Sequence, residues 1–387
     1  MNNDKYVFSQ LTSILDRNHF NYLVKKYEGD KYVKHFTCWN QMLALMFGQL
    51  SNRESLRDLI VALEAHRSKC YYLGMGKHVT RSNLAKANEN RPCRIFEDFA
   101  YRMIDEARRK RCMDIFKLDG NVYAFDSTTI DLCLSVFEWA KFRTTKGGVK
   151  VHTMYDVEAQ VPTFVHITPA AVHDMKAMDV IPYEPGSFYI FDRGYNDFKR
   201  LYRINMLGSF FVIRSKDNLK YKIVKWKRRL PKDVLSDAEI ELTGYYPSKY
   251  YPERMRLIRY WDEEQGREFM FLTNAIGLKV LLVAELYKNR WQIELFFKWL
   301  KQHLKIKKFW GTSENAVKTQ IYVAIITYCL VAVVQHNMRL ERSTYEILQI
   351  LSISLTDKTP LKDLFNKTDY HDVKERIDNS ELLLFYS

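Results

Sequence analysis

The sequence predicts an α/β fold: a mixed, five-stranded sheet with helices, preceded by a helical segment, interrupted by a β-rich insertion and followed by a helical tail. Three observations predict it. Apolar residues recur at helical spacing up to about residue 115. From about residue 120 the period changes to two, and the elements read β-β-β-α-β-α-β. A second alternating stretch then runs from 214 to about 276 before helical spacing resumes. The implied units are 1–115, 116–213, 214–278, 279–340 and 341–387.

In chain order, "TCWNQMLALMFGQL" is a strongly apolar helix, and "SNRESLRDLIVALEAH" follows it with a predicted capping box from Ser51 to Glu54. "TRSNLAKANENRP" gives a short polar helix ending near Pro92, and "FEDFAYRMIDEARRKR" a longer one with a basic end. A helix-turn-helix-like DNA reader and a generic helical bundle both fit this segment. The strands "NVYAFDST", "GVKVHTMYD" and "VPTFVHITPA" come next. Alternation in the first puts Val122, Ala124 and Asp126 on one face and Tyr123, Phe125 and Ser127 on the other. The helix "HDMKAMDVI" leads to "SFYIFDRGY", a buried strand whose apolar run ends in Asp192 before a glycine turn. Ligands bind at such carboxyl edges of a sheet. A helix, "NDFKRLYRINML", and a strand, "SFFVIRS", complete the series. The insertion reads as strands in "NLKYKIVKWKRRL", "AEIELTGYY", "RMRLIRYWD" and "EFMFLTNA", the first of them dense in lysine and arginine.

The chain has 387 residues, 47% of them hydrophobic, enough for a substantial core and against wholesale disorder. A net charge of +14 points to a polyanionic partner. Six cysteines at 38, 70, 93, 112, 133 and 329 show no zinc-like spacing and read as reduced thiols. The amino end lacks a signal-peptide core. The most apolar run, "IYVAIITYCLVAVV" at 321–334, falls short of the roughly twenty residues a bilayer crossing needs, which predicts a buried helix. A cytoplasmic protein with no membrane partner is expected.

"YKNRWQIELFFKWLK", residues 287–301, reads as one helix with a broad apolar face. Its narrow stripe carries Tyr287, Arg290, Glu294, Lys298 and Lys301, with Trp291 at the border, within an arc of about 100°. Ion pairs at i,i+4 from Glu294 to Arg290 and Lys298 explain it as a solvated face. An excess of cations beside Tyr287 and Trp291 equally suits a surface that meets phosphates and bases. Asp126, Asp192 and Glu294, 66 and 102 residues apart, could converge as hard oxygen ligands for a pair of divalent ions.

Tyr287, Arg290, Glu294 and Lys301 resemble the Y-x2-R-x3-E-x6-K signature of the insertion-sequence DDE transposases of the IS-four family. "FDST" and "FDRGY" resemble that family's contexts for its two aspartates, and the likeness covers nearly the whole chain. It implies an RNase H-like core with a β-rich insertion, a helical amino-terminal DNA-binding domain and a helical tail. It also implies that Asp126, Asp192 and Glu294 bind two Mg²⁺ ions, with Mn²⁺ as a substitute. Tyr287, Arg290 and Lys301 would hold backbone phosphates, Lys298 would join them, and Trp291 would support a distorted end base. A base-stacking aromatic belongs in the insertion, where Trp261 is the nearer candidate and Trp226 the other. His173 and Asp174 echo a family context, and a helix cap explains them equally well.

The activity implied is cleavage of the inverted-repeat ends of an insertion sequence and joining of the freed 3′-hydroxyls to target DNA. Double-stranded DNA is the partner, a homodimer forms on paired ends, and the setting is a bacterial cytoplasm. A catalytically silent DNA-binding descendant, or a DDE-type structure-specific nuclease without strand transfer, are the alternatives.

Overall fold

The computed structural model describes residues 5–76, 79–111, 115–132, 137–143, 146–302 and 309–366. Cys112 and Cys133, and the end of the tail beyond 366, lie outside these residues. Ten strands form one sheet: β1 (Val122–Leu132), β2 (Lys141–Arg143), β3 (Lys146–Asp156), β4 (Val161–Pro169), β5 (Phe188–Phe191), β6 (Phe210–Arg214), β7 (Tyr221–Trp226), β8 (Val234–Leu242), β9 (Met255–Asp262) and β10 (Arg267–Thr273).

The first half of the sheet runs β4-β3-β1-β5-β6. β3 is antiparallel to both β1 and β4, and β1, β5 and β6 are mutually parallel. Three strands in a meander, followed by two that return parallel to the first, is the RNase H-like arrangement. β5 is buried throughout, as a parallel strand covered on both faces must be. The insertion does not form a separate sheet. β10 pairs antiparallel with β6, and β9, β8 and β7 continue outward from it. Where these strands join the body, Arg256 and Asp237 form an ion pair that is 2% exposed on each side.

Alternation in β1 serves two cores. Val122 and Ala124 join the larger cluster under the helices, while Tyr123 and Phe125 join a smaller one with Leu201 and Ile204. The larger cluster surrounds the helix Glu314–Asn337, which packs against the helices Cys38–Leu50 and Arg94–Arg111. The apolar run 321–334 is the middle of this 24-residue helix, which is longer than the run by itself suggested. By length and composition it could cross a membrane, but 94% of its apolar window is buried inside the protein. An all-round apolar surface is what a central core helix requires. Around it, Ile95, Phe96, Phe99, Ala100, Met103, Ile104 and Ala107 bury one stripe of their amphipathic helix.

One cap differs from expectation. Ser55, not Ser51, caps the helix Leu56–Ala65, its side chain accepting from the Asp58 amide, while Ser51 ends the preceding helix. The Glu54 amide, one residue before the cap, donates to Asp58 at 3.0 Å, so the cap sits four residues later than the Ser51–Glu54 spacing implied. Asn52, at φ +58°, turns the chain between the helices and leaves no room for a helix to begin at 51.

Candidate active site

The parallel ladder of β1 and β5 places Phe125 opposite Phe191, and the next residue on each chain is an aspartate. Asp192, just past the carboxyl end of β5, therefore stands beside Asp126 in the middle of β1, at a strand spacing of about 4.8 Å. Asp192 leaves the sheet in extended conformation and opens the turn Arg193–Tyr195. The third acid approaches from above: Glu294 lies in the first turn of the helix Trp291–Gln302, which packs against β1.

The stretch from 287 to 301 is not one helix. Val280–Asn289 ends with Arg290 as its cap, and Trp291–Gln302 starts immediately after it. The Arg290 amide bonds to the Tyr287 carbonyl and the Ile293 amide to that of Arg290, tighter i−3 contacts that break the regular ladder. The break aims Tyr287 and Arg290 inward. Arg290, 13% exposed, spans Asp126 at 3.0 Å and Glu294 at 2.7 Å. Tyr287 donates its hydroxyl to Asp192 at 3.2 Å. These two residues are the cation and phenol expected to hold phosphates; here their polar groups satisfy all three acids. The Nε of Arg290 is buried with no partner among the described residues. Of the two ion pairs expected for Glu294, the one with Arg290 forms, and none with Lys298 is found among the described residues.

Burial pushes the Asp126 carboxyl up to about 6, and the nearby charges of Asp192 and Glu294 push the same way. The Ser127 amide, 2.8 Å from Oδ1, and Arg290 oppose the rise. Tyr195 reaches the same oxygen at 3.5 Å, and burial raises the phenol well above its ordinary value. A second network stands behind the aspartate. Ser127 donates its hydroxyl to Asp174 at 2.7 Å, and Lys150 pairs with that carboxylate at 3.2 Å. Burial alone would raise Asp174, yet the bonds from Ser127 and Lys150 outweigh it and hold the group below the ordinary carboxylate range. His173 caps the short helix Asp174–Ala177.

Two cavities flank the acids. One of about 400 Å³ is lined by Asp126, Ser127 and Thr128 of β1 and by Glu294, Phe297, Lys298 and Lys301 of the facing helix. Another of about 770 Å³ begins at Asp192 and is walled by Tyr260, Phe269, Phe271 and Tyr287, with Trp291 on its lining. Trp261, on β9 opposite Glu268, and Trp226, at the end of β7, are 40% and 57% exposed and line neither cavity.

The donor set suits a hard divalent cation in kind: three carboxylates, one of them pushed up by burial and then by the charges of the other two. As the side chains stand, Arg290 supplies the positive charge between two of them, and no group of three His, Cys, Asp or Glu among the described residues is arranged to hold an ion.

Residues 117–330 match the family described as "Transposase DDE domain". This chain belongs to the DDE transposase family. Residues 3–76 of the transposase match a domain family of unknown function. It is 35% identical, over 279 residues, to a Sinorhizobium fredii protein named as transposase y4zB, covering 70% of this chain and 75% of that one. It is 31% identical over 207 residues to a Geobacillus stearothermophilus protein named as the transposase for insertion sequence element IS5377, covering 53% and 54%. A Synechocystis protein, named as the transposase for element IS4SA, is 26% identical over 264 residues, covering 66% and 72%. A cryo-EM piggyBac transposase synaptic complex with hairpin DNA has a TM-score of 0.47 and 11% identity, over 95% of this chain and 84% of that one.

Sequence reasoning left several parts of the transposase's site without a role. Tyr195 stands within "FDRGY" itself, three residues after Asp192, and could have been read from that proximity. Asp174, Lys150 and Ser127 meet only because β1, β3 and the short helix after β4 are adjacent in space. The aromatic wall of the larger cavity alternates along β10 as Phe269 and Phe271, a pattern that also describes any half-buried strand.

Proposed function

We propose that this transposase binds the ends of its insertion sequence, cleaves them in a metal-dependent reaction and joins the freed 3′-hydroxyls to target DNA. One observation carries the reading: two aspartates stand side by side on neighbouring strands, and one of them, Asp126, lines a cavity together with Glu294, Lys298 and Lys301 of the facing helix.

Asp126, Asp192 and Glu294 would hold two Mg²⁺ ions, for which Mn²⁺ substitutes. Such ions activate a water or hydroxyl and stabilise the leaving oxygen of an in-line displacement. The chain's own groups do the rest. The Ser127 amide and the Tyr195 hydroxyl fix one oxygen of Asp126, and its other oxygen accepts from Arg290, which also bonds Glu294. Lys298 and Lys301 neutralise and position a phosphate entering the smaller cavity. Arg290 and Tyr287, which bond the three carboxylates here, would be free to meet adjoining phosphates where those carboxylates hold ions. The aromatic wall beyond Asp192, with Trp291 at its edge, suits an unstacked base. Two copies on paired ends, acting on DNA in a bacterial cytoplasm, complete the reading.

The test is cleavage and strand transfer on duplexes carrying the element's ends, with Mg²⁺ or Mn²⁺, for the wild type and Glu294→Gln. Cutting and joining that vanish in the variant, with DNA binding retained, establish the proposal. Binding without cutting in the wild type under both metals assigns the protein to silent DNA binding. Cutting without joined products assigns it to a nuclease.

A further inference from the structure

β7 is the outer strand of the sheet, and five of its six residues are exposed. Both of its faces are open. Ile223, Val224 and Trp226 are exposed along it, and Leu230 in the loop that follows. From 216 to 232 the chain carries eight lysines and arginines against a single acid, Asp217, which Arg193 already pairs at 3.0 Å. Lys222 and Lys232 have acidic partners, and Lys227 donates to the Ile276 carbonyl. Lys216, Lys220, Lys225, Arg228 and Arg229 have no ion pair among the described residues.

Lysines on an edge strand discourage pairing with other chains. That role explains the lysines, but not a strand that leaves Ile223, Val224 and Trp226 in water beside an Arg-Arg pair. We propose that β7 and the loop after it form a second contact surface for the backbone of duplex DNA, separate from the acid-lined cleft. The inference rests on the DNA-binding part of the proposed function. Its cations meet phosphates, and the apolar side chains between them lie against the sugars. The sheet order puts β7 six strands from β1, or about 29 Å at about 4.8 Å per strand. That is the length of roughly eight or nine base pairs at about 3.4 Å each. A duplex engaged at the acids and continuing along the sheet reaches this strand within one helical turn, which gives the insertion a reason to extend the core sheet.

The experiment measures the affinity of full-length protein for a duplex of about thirty base pairs as salt rises from about 50 to about 200 mM. It compares the wild type, the variant Lys220→Gln/Lys225→Gln/Arg228→Gln/Arg229→Gln, and the cleft variant Lys298→Gln/Lys301→Gln. Each phosphate contact adds about 0.9 to the logarithmic slope, so losing four lowers it by about 3.6. Across that fourfold change in salt, the wild type then loses about 150-fold more affinity than the ribbon variant. All four side chains are exposed, so an unchanged melting temperature confirms that the variant is folded. A slope that falls in the cleft variant but not in the ribbon variant overturns this inference and leaves the proposed function standing. Loss of self-association by sedimentation, with the slope intact, overturns it in favour of pairing with a second copy. A wild type that binds no duplex removes both.

Discussion

Asp126→Asn should stabilise the chelator-treated protein at pH 8 while abolishing its chemistry. The carboxyl is pushed up to about 6 from an ordinary 3.8, chiefly by burial and then by Asp192 and Glu294. A difference of about two pH units, at about 1.4 kcal/mol each, corresponds to about 3 kcal/mol. The sign follows from proton binding. Below about pH 4 the group is protonated in both folded and unfolded chains, and its stabilisation of the folded state is fully present. Between about 4 and 6 only the folded chain holds the proton, so stability falls as pH rises. Above about 6 the folded chain carries an ionised Asp126 at full cost. The carboxamide mimics the protonated acid and keeps an acceptor oxygen toward Arg290, which retains Glu294 as its ion-pair partner. Urea unfolding in EDTA, followed by circular dichroism from pH 8 to pH 4.5, should show the variant more stable by up to about 3 kcal/mol at the upper end, with the gap closing toward the lower. An equal or less stable variant at pH 8, or a gap independent of pH, would refute the view that Asp126 is held ionised against its surroundings. Active sites commonly give up stability in this way.

Arg290→Gln should bind Mn²⁺ several-fold more tightly in the absence of DNA, because the guanidinium no longer competes for Asp126 and Glu294; electron paramagnetic resonance of free Mn²⁺ reads this directly, and weaker binding would count against a competing role. Asp237→Asn leaves Arg256 buried without its counter-charge, and a loss of about 3–5 kcal/mol is expected in urea unfolding. A loss below about 1 kcal/mol would mean that the Ile276 and Leu278 carbonyls, which also accept from Arg256, suffice by themselves. Burial lowers the His152 imidazole to about 4, against a smaller upward pull from Asp174. Its ring should therefore stay neutral down to about pH 5 by NMR, and a midpoint near 6.5 would show that the Asp174 network is open to water. Leu330→Ala, in the fully buried middle of the central helix, should cost about 2–5 kcal/mol.

Much of the architecture was legible because it is local. The period-two run of β1 announced which side chains face each core, and the strand and helix order between 120 and 213 follows from changes of period except at β2, whose three residues are too few to show one. "YIFDRG" showed an acid at the end of a buried strand for the same reason. The helical wheel for 287–301 went astray at one point. It assumed continuous 100° steps, whereas the chain tightens at Arg290 and restarts. Propensity does not announce that break, since Arg290 itself keeps helical backbone angles.

The sequence by itself determined the elements, the acids available and the positive charge, since periodicity and composition are written residue by residue. Tertiary structure decided what those acids meet. Ladder hydrogen bonds pair Phe125 with Phe191 across 66 residues and so bring Asp126 beside Asp192. The break at Arg290 turns a guanidinium onto Asp126 and Glu294, and pairing of β10 with β6 carries the basic insertion outward along the sheet instead of into a separate body. Such contacts depend on which distant segment completes a ladder or fills a core, and no local period records that choice.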